Sequence, residues 1–390
     1  MAINLTTADN ALKTFYLDAI SEQLNKKISP FFAQIKHTTK DVYGKEVRKL
    51  VSYGMNGGIS AGSEDGDLPR NSNNNYQCLV STLKNLYGVI EISDKAIRAS
   101  ENNAGAFVNL LDAEMEGLIN ASTENFSRML FGDGKGVLCK VESISSGNVK
   151  VDSTRFLKPG MIIDFRYPGG GIVEGLGGRK IQEINSDSMF KIDTSMTIGN
   201  VIEGGLVTIQ NSYCNELTGL EEIFSNELSL LYGLSRVENN WFNPYKKNNA
   251  GEIDELAIQT AIDEIEEKSG ETPNLIICSW GVRRALQKLF SQNKRSVDIV
   301  ELNGGYKAMS YNGIPIVVDK YCPKGCMYIL NTDFFELHQL CDWQWLADDD
   351  GRVLKQIPGK PTYTATLVKY AELMCSKPYA QGVIRGITEG

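Results

Sequence analysis

AGAFVNLLDAEMEGLINASTENFSRML, residues 104–130, is the stretch on which the fold turns. Phe107, Leu110, Leu111, Met115, Leu118, Ile119, Phe126, Met129 and Leu130 fall on one stripe at helical spacing, and Gly132 follows as a stop signal. At 1.5 Å per residue the predicted helix is about 40 Å long. That exceeds an ordinary globular helix and points to a structural beam.

Toward the N-terminus, Ser93 is a candidate N-cap for a short helix through Ala99. Residues 45–53 and 76–92 read as strands. In the second, Cys78, Val80 and Thr82 alternate with polar neighbours, and Leu86, Ile90 and Ile92 continue the same parity. Between them, Gly54 to Asn75 is a tip rich in Gly, Asn, Ser and Asp with few apolar residues to pack on itself. A long hairpin so tipped is expected to project from its own domain. Residues 1–35 read as an amphipathic, partly helical arm carrying Leu12, Phe15, Tyr16, Ala19 and Ile20, broken at Pro30.

Toward the C-terminus, residues 136–215 read as all-β. Short apolar runs at 137–141, 161–165, 181–184, 189–192 and 206–209 are separated by Gly-rich turns, which predicts a small barrel or sandwich. After Gly219-Leu220 helices and strands alternate: helix 252–268 ending at Gly270, strand 274–278, helix 282–290 and strand 314–318. The tail returns to β, with runs at 326–330 and 362–374. The fold class expected from this order is α+β.

Composition narrows function. The chain has 390 residues, 42% of them hydrophobic, and a formal net charge of −8. Such an acidic chain is poorly suited to gripping nucleic acid over a broad surface, though it can enclose it. The polar start after Met1-Ala2-Ile3-Asn4 shows no signal peptide, and no run approaches the ~18 apolar residues of a membrane span. The eight cysteines are scattered and read as reduced, buried thiols.

Catalytic chemistry finds little footing. Only His37 and His338 could serve a nucleophile triad, and no GxSxG elbow is present. Cys322 and Cys326 lack a second close pair for zinc, and Pro323 and Gly325 explain the segment as a turn. Asp348-Asp349-Asp350-Gly351 fails the EF-hand pattern, and the Gly-rich segments 132–136 and 169–178 fail the phosphate-loop pattern. The carboxylates Glu252, Asp254, Glu255, Asp263, Glu264, Glu266 and Glu267 read as the solvated face of one helix. The expectation is therefore no enzyme, no catalytic residue, no metal and no cofactor. The first fifty residues hold eight Lys or Arg against five acids, a bias that suits an acidic neighbour subunit as well as DNA.

The order of parts resembles the Hong Kong 97 fold of tailed-bacteriophage major capsid proteins. LYGVIEISDKAIRAS (86–100) resembles the passage from extended loop to spine helix. ELTGLEEI (216–223) resembles the Gly-Leu lead-in to the axial domain, and TPNLIICSWGVRRAL (272–286) its strand–helix unit. Tyr311 to Phe335 resembles the strand pair leaving it. The resemblance implies an N-terminal arm at 1–40, an extended β-hairpin loop at 41–92 and a peripheral domain at 93–135 and 335–390 with its spine helix at 104–130. It further implies an inserted small all-β domain at 136–215, extra to the minimal fold, and an axial domain at 216–334.

By the same resemblance the protein is structural. It is expected to self-assemble as pentamers and hexamers into an icosahedral virion shell in the bacterial host cytoplasm. The shell encloses double-stranded DNA without sequence-specific binding, with portal, scaffolding and decoration proteins as partners and no membrane. No long helical N-terminal extension is present, so a scaffold is expected to be a separate protein. The type member's covalent Lys–Asn link cannot be assigned to residues here. Expected intersubunit contacts are Phe15, Tyr16, Phe31 and Phe32 of the arm and Lys45, Arg48, Lys49, Tyr53 and Arg70 of the hairpin, against the alternative that the aromatic rings pack within their own chain. Rival readings are a cargo-enclosing nanocompartment, a phage tail or adhesin protein with a carbohydrate-binding β module at 136–215, and a hydrolase using the acidic helix.

Overall fold

The computed structural model describes residues 29–95, 104–194, 203–225, 230–292, 299–302, 306–348 and 351–389. The chain divides into two compact units, Gly132–Leu220 and the pair of flanking segments, Met1–Phe131 with Glu221–Gly390.

In the flanking unit the described chain begins with β1 (Lys36–Thr38), β2 (Val42–Tyr43), β3 (Glu46–Tyr53), β4 (Asn75–Thr82) and β5 (Lys84–Ser93), followed by helix α1 (Ala104–Met129). Strands β2, β3 and β4 form an antiparallel sheet. The single strand expected over 76–92 is therefore two, broken at Leu83 and shared between two sheets. The buried parity explains the break: Leu79 and Leu83 are buried before it, Leu86, Ile90 and Ile92 after it. A strand that swaps its buried face has changed the surface it packs on. Of the short helix expected from Ser93, only Asp94 and Lys95 lie among the described residues.

The side chains of α1 are described from Glu114 onward. Met115, Ile119, Thr123, Phe126 and Met129 form the buried stripe, while Leu118 is only half-buried. The Thr123 and Ser127 hydroxyls donate to the carbonyls of Ile119 and Thr123, each at 2.8 Å, which satisfies them without a partner outside the helix. The helix lies close on β5 at Gly88, where a Cβ would stand 2.8 Å from Leu118 Cδ1.

The unit Gly132–Leu220 contains β6 (Val137–Ser145), β7 (Asn148–Val151), β8 (Ile162–Arg166), β9 (Arg179–Ser186), β10 (Met189–Ile192) and β11 (Gly205–Ile209). They close into a barrel in the order β10-β7-β6-β11-β8-β9. Phe165 and Phe190 stack at 6.3 Å within a core of Val141, Ile144, Val149, Ile163, Ile181 and Val207. The buried carboxylate of Asp164 accepts from Gly178 N at 2.8 Å and Asn211 N at 2.9 Å, tying two loops together. Strand β7 escaped the sequence reading because only Val149 and Val151 mark it.

Beyond the one-turn helix α2 (Leu220–Ile223) come β12 (Leu230–Leu231), β13 (Leu234–Ser235), β14 (Tyr245–Lys247), α3 (Glu255–Ser269), β15 (Leu275–Cys278), α4 (Trp280–Gln292), β16 (Ile299–Leu302), β17 (Tyr306–Tyr311), β18 (Ile314–Val318) and β19 (Met327–Leu330). The chain closes with β20 (Phe335–Trp345), β21 (Lys355–Gln356), β22 (Thr362–Cys375) and β23 (Gly382–Ile384). A seven-stranded mixed sheet runs β14-β23-β19-β15-β18-β17-β16. Helix α3 starts at Glu255 rather than 252 because Asp254 caps it, accepting from Ala257 N at 2.6 Å, and it ends in the left-handed Gly270. Ile258, Ile262 and Ile265 of α3 and Val282, Leu286 and Phe290 of α4 share one core with Ile276, Cys278, Ile316 and Ile329, so both helices cover the same sheet face. Leu275 and Ile277 point the other way and are buried too, which is why β15 reads as an unbroken apolar run.

The remaining sheet runs β1-β20-β22-β21, with β5 also paired to β22. Strand β1 adds to it in parallel, Lys36 opposite Glu336. Strand β20 was not foreseen; its sequence, FELHQLCDWQW, mixes polar and apolar residues without clean alternation.

Candidate assembly surface

The hairpin of β3 and β4 is set by a register that pairs Leu50 with Cys78 and Ser52 with Tyr76. Residues directly opposite share a face. One face turns toward the body of its own unit: Val47, Val51 and Leu79 are buried there. On it, the Lys49 ammonium pairs with the Glu336 carboxylate, and the Tyr53 ring stacks on Trp241 with centroids 4.5 Å apart and planes within 7°. Glu336 also meets His338, whose Nε2 lies 3.3 Å away while Nδ1 sits 2.9 Å from the Lys40 carbonyl oxygen. The neighbouring His338 ring and the Lys49 ammonium bring the Glu336 carboxyl down to about 2, against the opposing pull of burial.

The other face carries Tyr43, Leu50 and Tyr76, 65%, 66% and 54% exposed, with Cys78 and Arg48 beside them. Arg48 is held on this face by Glu46 at 2.9 Å. The parity of Cys78, Val80 and Thr82 in β4 is thus the outward one, and Leu79 is the residue the body covers. Residues 54–74 form no strand or helix, and Met55, Ile59 and Leu68 stand 76–90% exposed on them. The polar links within this tip are few, among them Asn56 Nδ2 to Asn74 Oδ1 at 3.1 Å and Gly58 N to Asn56 Oδ1 at 2.9 Å. A sheet with apolar side chains on both faces, only one of them covered, is an unfinished core.

The expected contact residues separate accordingly. Lys45, Arg48 and Arg70 are exposed. Lys49 and Tyr53 are half-buried and hold the hairpin to its own body. Phe31 and Phe32 correct the expectation that they reach a neighbour. Phe31 meets Phe335 edge-on at 5.2 Å and Phe32 meets Phe126 edge-on at 5.3 Å, both rings buried in their own chain. Phe15 and Tyr16 lie outside the described residues. The outward row Tyr43, Leu50, Tyr76 was missed, although apolar residues at both parities in EVRKLVSY are a signal for it.

Cys322 and Cys326 are buried, the Cys326 thiol pushed up to about 11 chiefly by burial. Among the described residues no group of three or more His, Cys, Asp or Glu is placed to hold a metal ion, and no helix is long and apolar enough to cross a membrane.

No family model matches the chain, and no curated protein matches it in sequence. Solved structures do. The capsid asymmetric unit of cyanophage A-1(L) superposes with a TM-score of 0.54 at 12% identity, over 95% of this chain and 93% of that one. The chain has the fold of a phage capsid protein. Lower likenesses, each with a TM-score of 0.46 at 9% identity, extend to Mycobacterium phage Adephagia, over 92% of this chain and 90% of that one, and to the SrpI encapsulin complex of Synechococcus elongatus PCC 7942, over 93% and 89%.

Proposed function

We propose that this chain is a major capsid protein of the Hong Kong 97 type, which self-assembles as pentamers and hexamers into an icosahedral shell around double-stranded DNA. The observation that carries the reading is the hairpin of β3 and β4, whose outward row Tyr43, Leu50, Tyr76 and tip 54–74 stand exposed among the described residues. In this assignment residues 41–92 are the extended loop, α1 is the spine helix of the peripheral domain and the seven-stranded sheet with α3 and α4 is the axial domain. The barrel β6–β11 is an insertion. Lys45, Arg48 and Arg70 rim the apolar row as polar contacts to the neighbour. Loops and arms laid over neighbours bury more than the ~1,600 Å² of an ordinary interface, and closed symmetry lets modest contacts add. The net charge of −8 suits a container that DNA enters without adhering.

The test is size-exclusion chromatography and negative-stain electron microscopy of the purified protein, alone and after deletion of residues 56–73. Rings or shells from the full chain, and soluble subunits that fail to close shells from the deletion, are expected. A persistent monomer or trimer at high concentration, even with a scaffold co-expressed, would overturn the reading and turn attention to glycan binding by the barrel. Shells loaded with a protein cargo would move it to the nanocompartment.

A further inference from the structure

Among the described residues two asparagines stand immediately before a glycine, Asn56 in the hairpin tip and Asn312 between β17 and β18. Both pairs are exposed, so solvent reaches both. Their backbones differ. Asn312 and Gly313 form a two-residue hairpin loop, with Tyr311 paired to Ile314 and φ of 50° and 83° at the two loop residues. A turn with two such positive φ values matches the twist of the strands it joins and is held by them. The Asn312 carboxamide is also tied across to helix α3, Nδ2 donating to Gln259 Oε1 at 2.9 Å. Asn56 lies where no strand or helix fixes the chain. Its Oδ1 accepts from Gly58 N at 2.9 Å, which folds the carboxamide over the backbone that follows and draws electron density from its carbon. Gly57, between them, has no Cβ to shield its nitrogen.

We infer that Asn56–Gly57 is a self-modifying site, at which the side-chain amide converts to a carboxylate without an enzyme while Asn312–Gly313 is protected by its turn. The Gly57 backbone nitrogen attacks Asn56 Cγ. The new N–C bond closes a succinimide ring, the Cγ–Nδ2 bond breaks, and Nδ2 leaves as ammonia with the Gly57 amide proton. Water then adds to one of the two ring carbonyls and reopens it, as aspartate or as isoaspartate. Water is consumed, ammonia is released, and no other reactant is needed. At Asn312 the same attack requires the loop to leave its paired strands and the carboxamide to leave Gln259. The consequence at the tip reaches beyond one residue. Asn56 Nδ2 donates to Asn74 Oδ1 at 3.1 Å, joining the two limbs of the tip, and Asn74 Nδ2 donates to the Tyr76 hydroxyl at 3.3 Å. A carboxylate at position 56 has no hydrogen to donate, so two oxygens face each other until Asn74 turns its amide and gives up Tyr76. The conversion therefore adds negative charge to the tip, unclasps its limbs and frees a ring of the outward row.

The test is peptide mapping by mass spectrometry of the purified full chain, aged at mildly alkaline pH both folded and, in parallel, unfolded in urea. In the folded chain Asn56 should convert roughly ten-fold or more faster than Asn312, the ratio that about 1.4 kcal/mol of extra barrier in the constrained turn gives. In urea the two should convert at similar rates, which assigns the difference to the fold. An isoaspartate-specific methyltransferase should label the peptide containing position 56 from the aged folded chain. Gly57→Ala places a methyl beside the attacking nitrogen and meets only the Ser72 side chain, Oγ at 3.3 Å, so the tip tolerates it. This variant should convert at position 56 several-fold more slowly than the parent, with Asn312 unchanged. Equal rates at the two sites in the folded chain, a faster Asn312, the same inequality in urea, or a Gly57→Ala chain that ages like the parent would overturn the inference.

Discussion

The seven-stranded sheet and the β3–β4 hairpin are both apolar on two faces, yet only the sheet is finished. In β15, Ile276 and Cys278 meet α3 and α4, while Leu275 and Ile277 are buried on the reverse. In the hairpin, Val47, Val51 and Leu79 are covered by the chain's own body, while Leu50, Tyr43 and Tyr76 on the reverse are more than half exposed. The first pattern describes a domain that folds for itself. The second describes an element with one face open to solvent, which the proposed shell would complete with a neighbouring copy. Buried area stabilises the subunit in the first case and, under the proposed function, association in the second.

Substitutions can break or sharpen this contrast, here ordered by their effect on the isolated subunit. Ile265→Ala, in the core of α3, should cost about 2–5 kcal/mol of unfolding free energy in urea titrations, with assembly falling as a consequence. Gly88→Ala should cost about 1–3 kcal/mol, because the new methyl meets Leu118 at 2.8 Å and α1 must shift or Leu118 rotate. Glu336→Gln should cost on the order of 1–2 kcal/mol near neutral pH after allowance for solvent screening. Its pH signature is signed. A carboxyl brought down to about 2 from its ordinary 4.5 contributes stability that is fully present above 4.5 and lost as pH falls toward 2. The parent should therefore lose this part of its stability between those values, and the Gln variant should show a flatter profile. Leu50→Ser should change subunit stability by no more than about 0.5 kcal/mol, yet reduce shell yield.

Much of the fold was legible in the sequence because the signals were periodic or punctuated. The stripe of α1, the turn-separated runs of the barrel and the Asp254–Gly270 brackets of α3 are each local. What was not legible depended on partners distant in sequence. The break at Leu83 is decided by β3 on one side and β22 on the other, and β20 is a strand because β1 and β22 flank it. The arm aromatics Phe31 and Phe32 look like hooks for a neighbour until Phe126 and Phe335 arrive from elsewhere in the chain to enclose them. The outward row of the hairpin was hidden for a related reason: alternation gives two faces but not which of them the body takes.

The most direct test of the unfinished hairpin is to replace Leu50 and Tyr76 together by Ser and compare the variant with the parent by urea unfolding and by electron microscopy at the same concentration. The account predicts an unchanged unfolding midpoint and no closed shells. A variant that assembles like the parent would contradict it, as would one that unfolds several kcal/mol more easily.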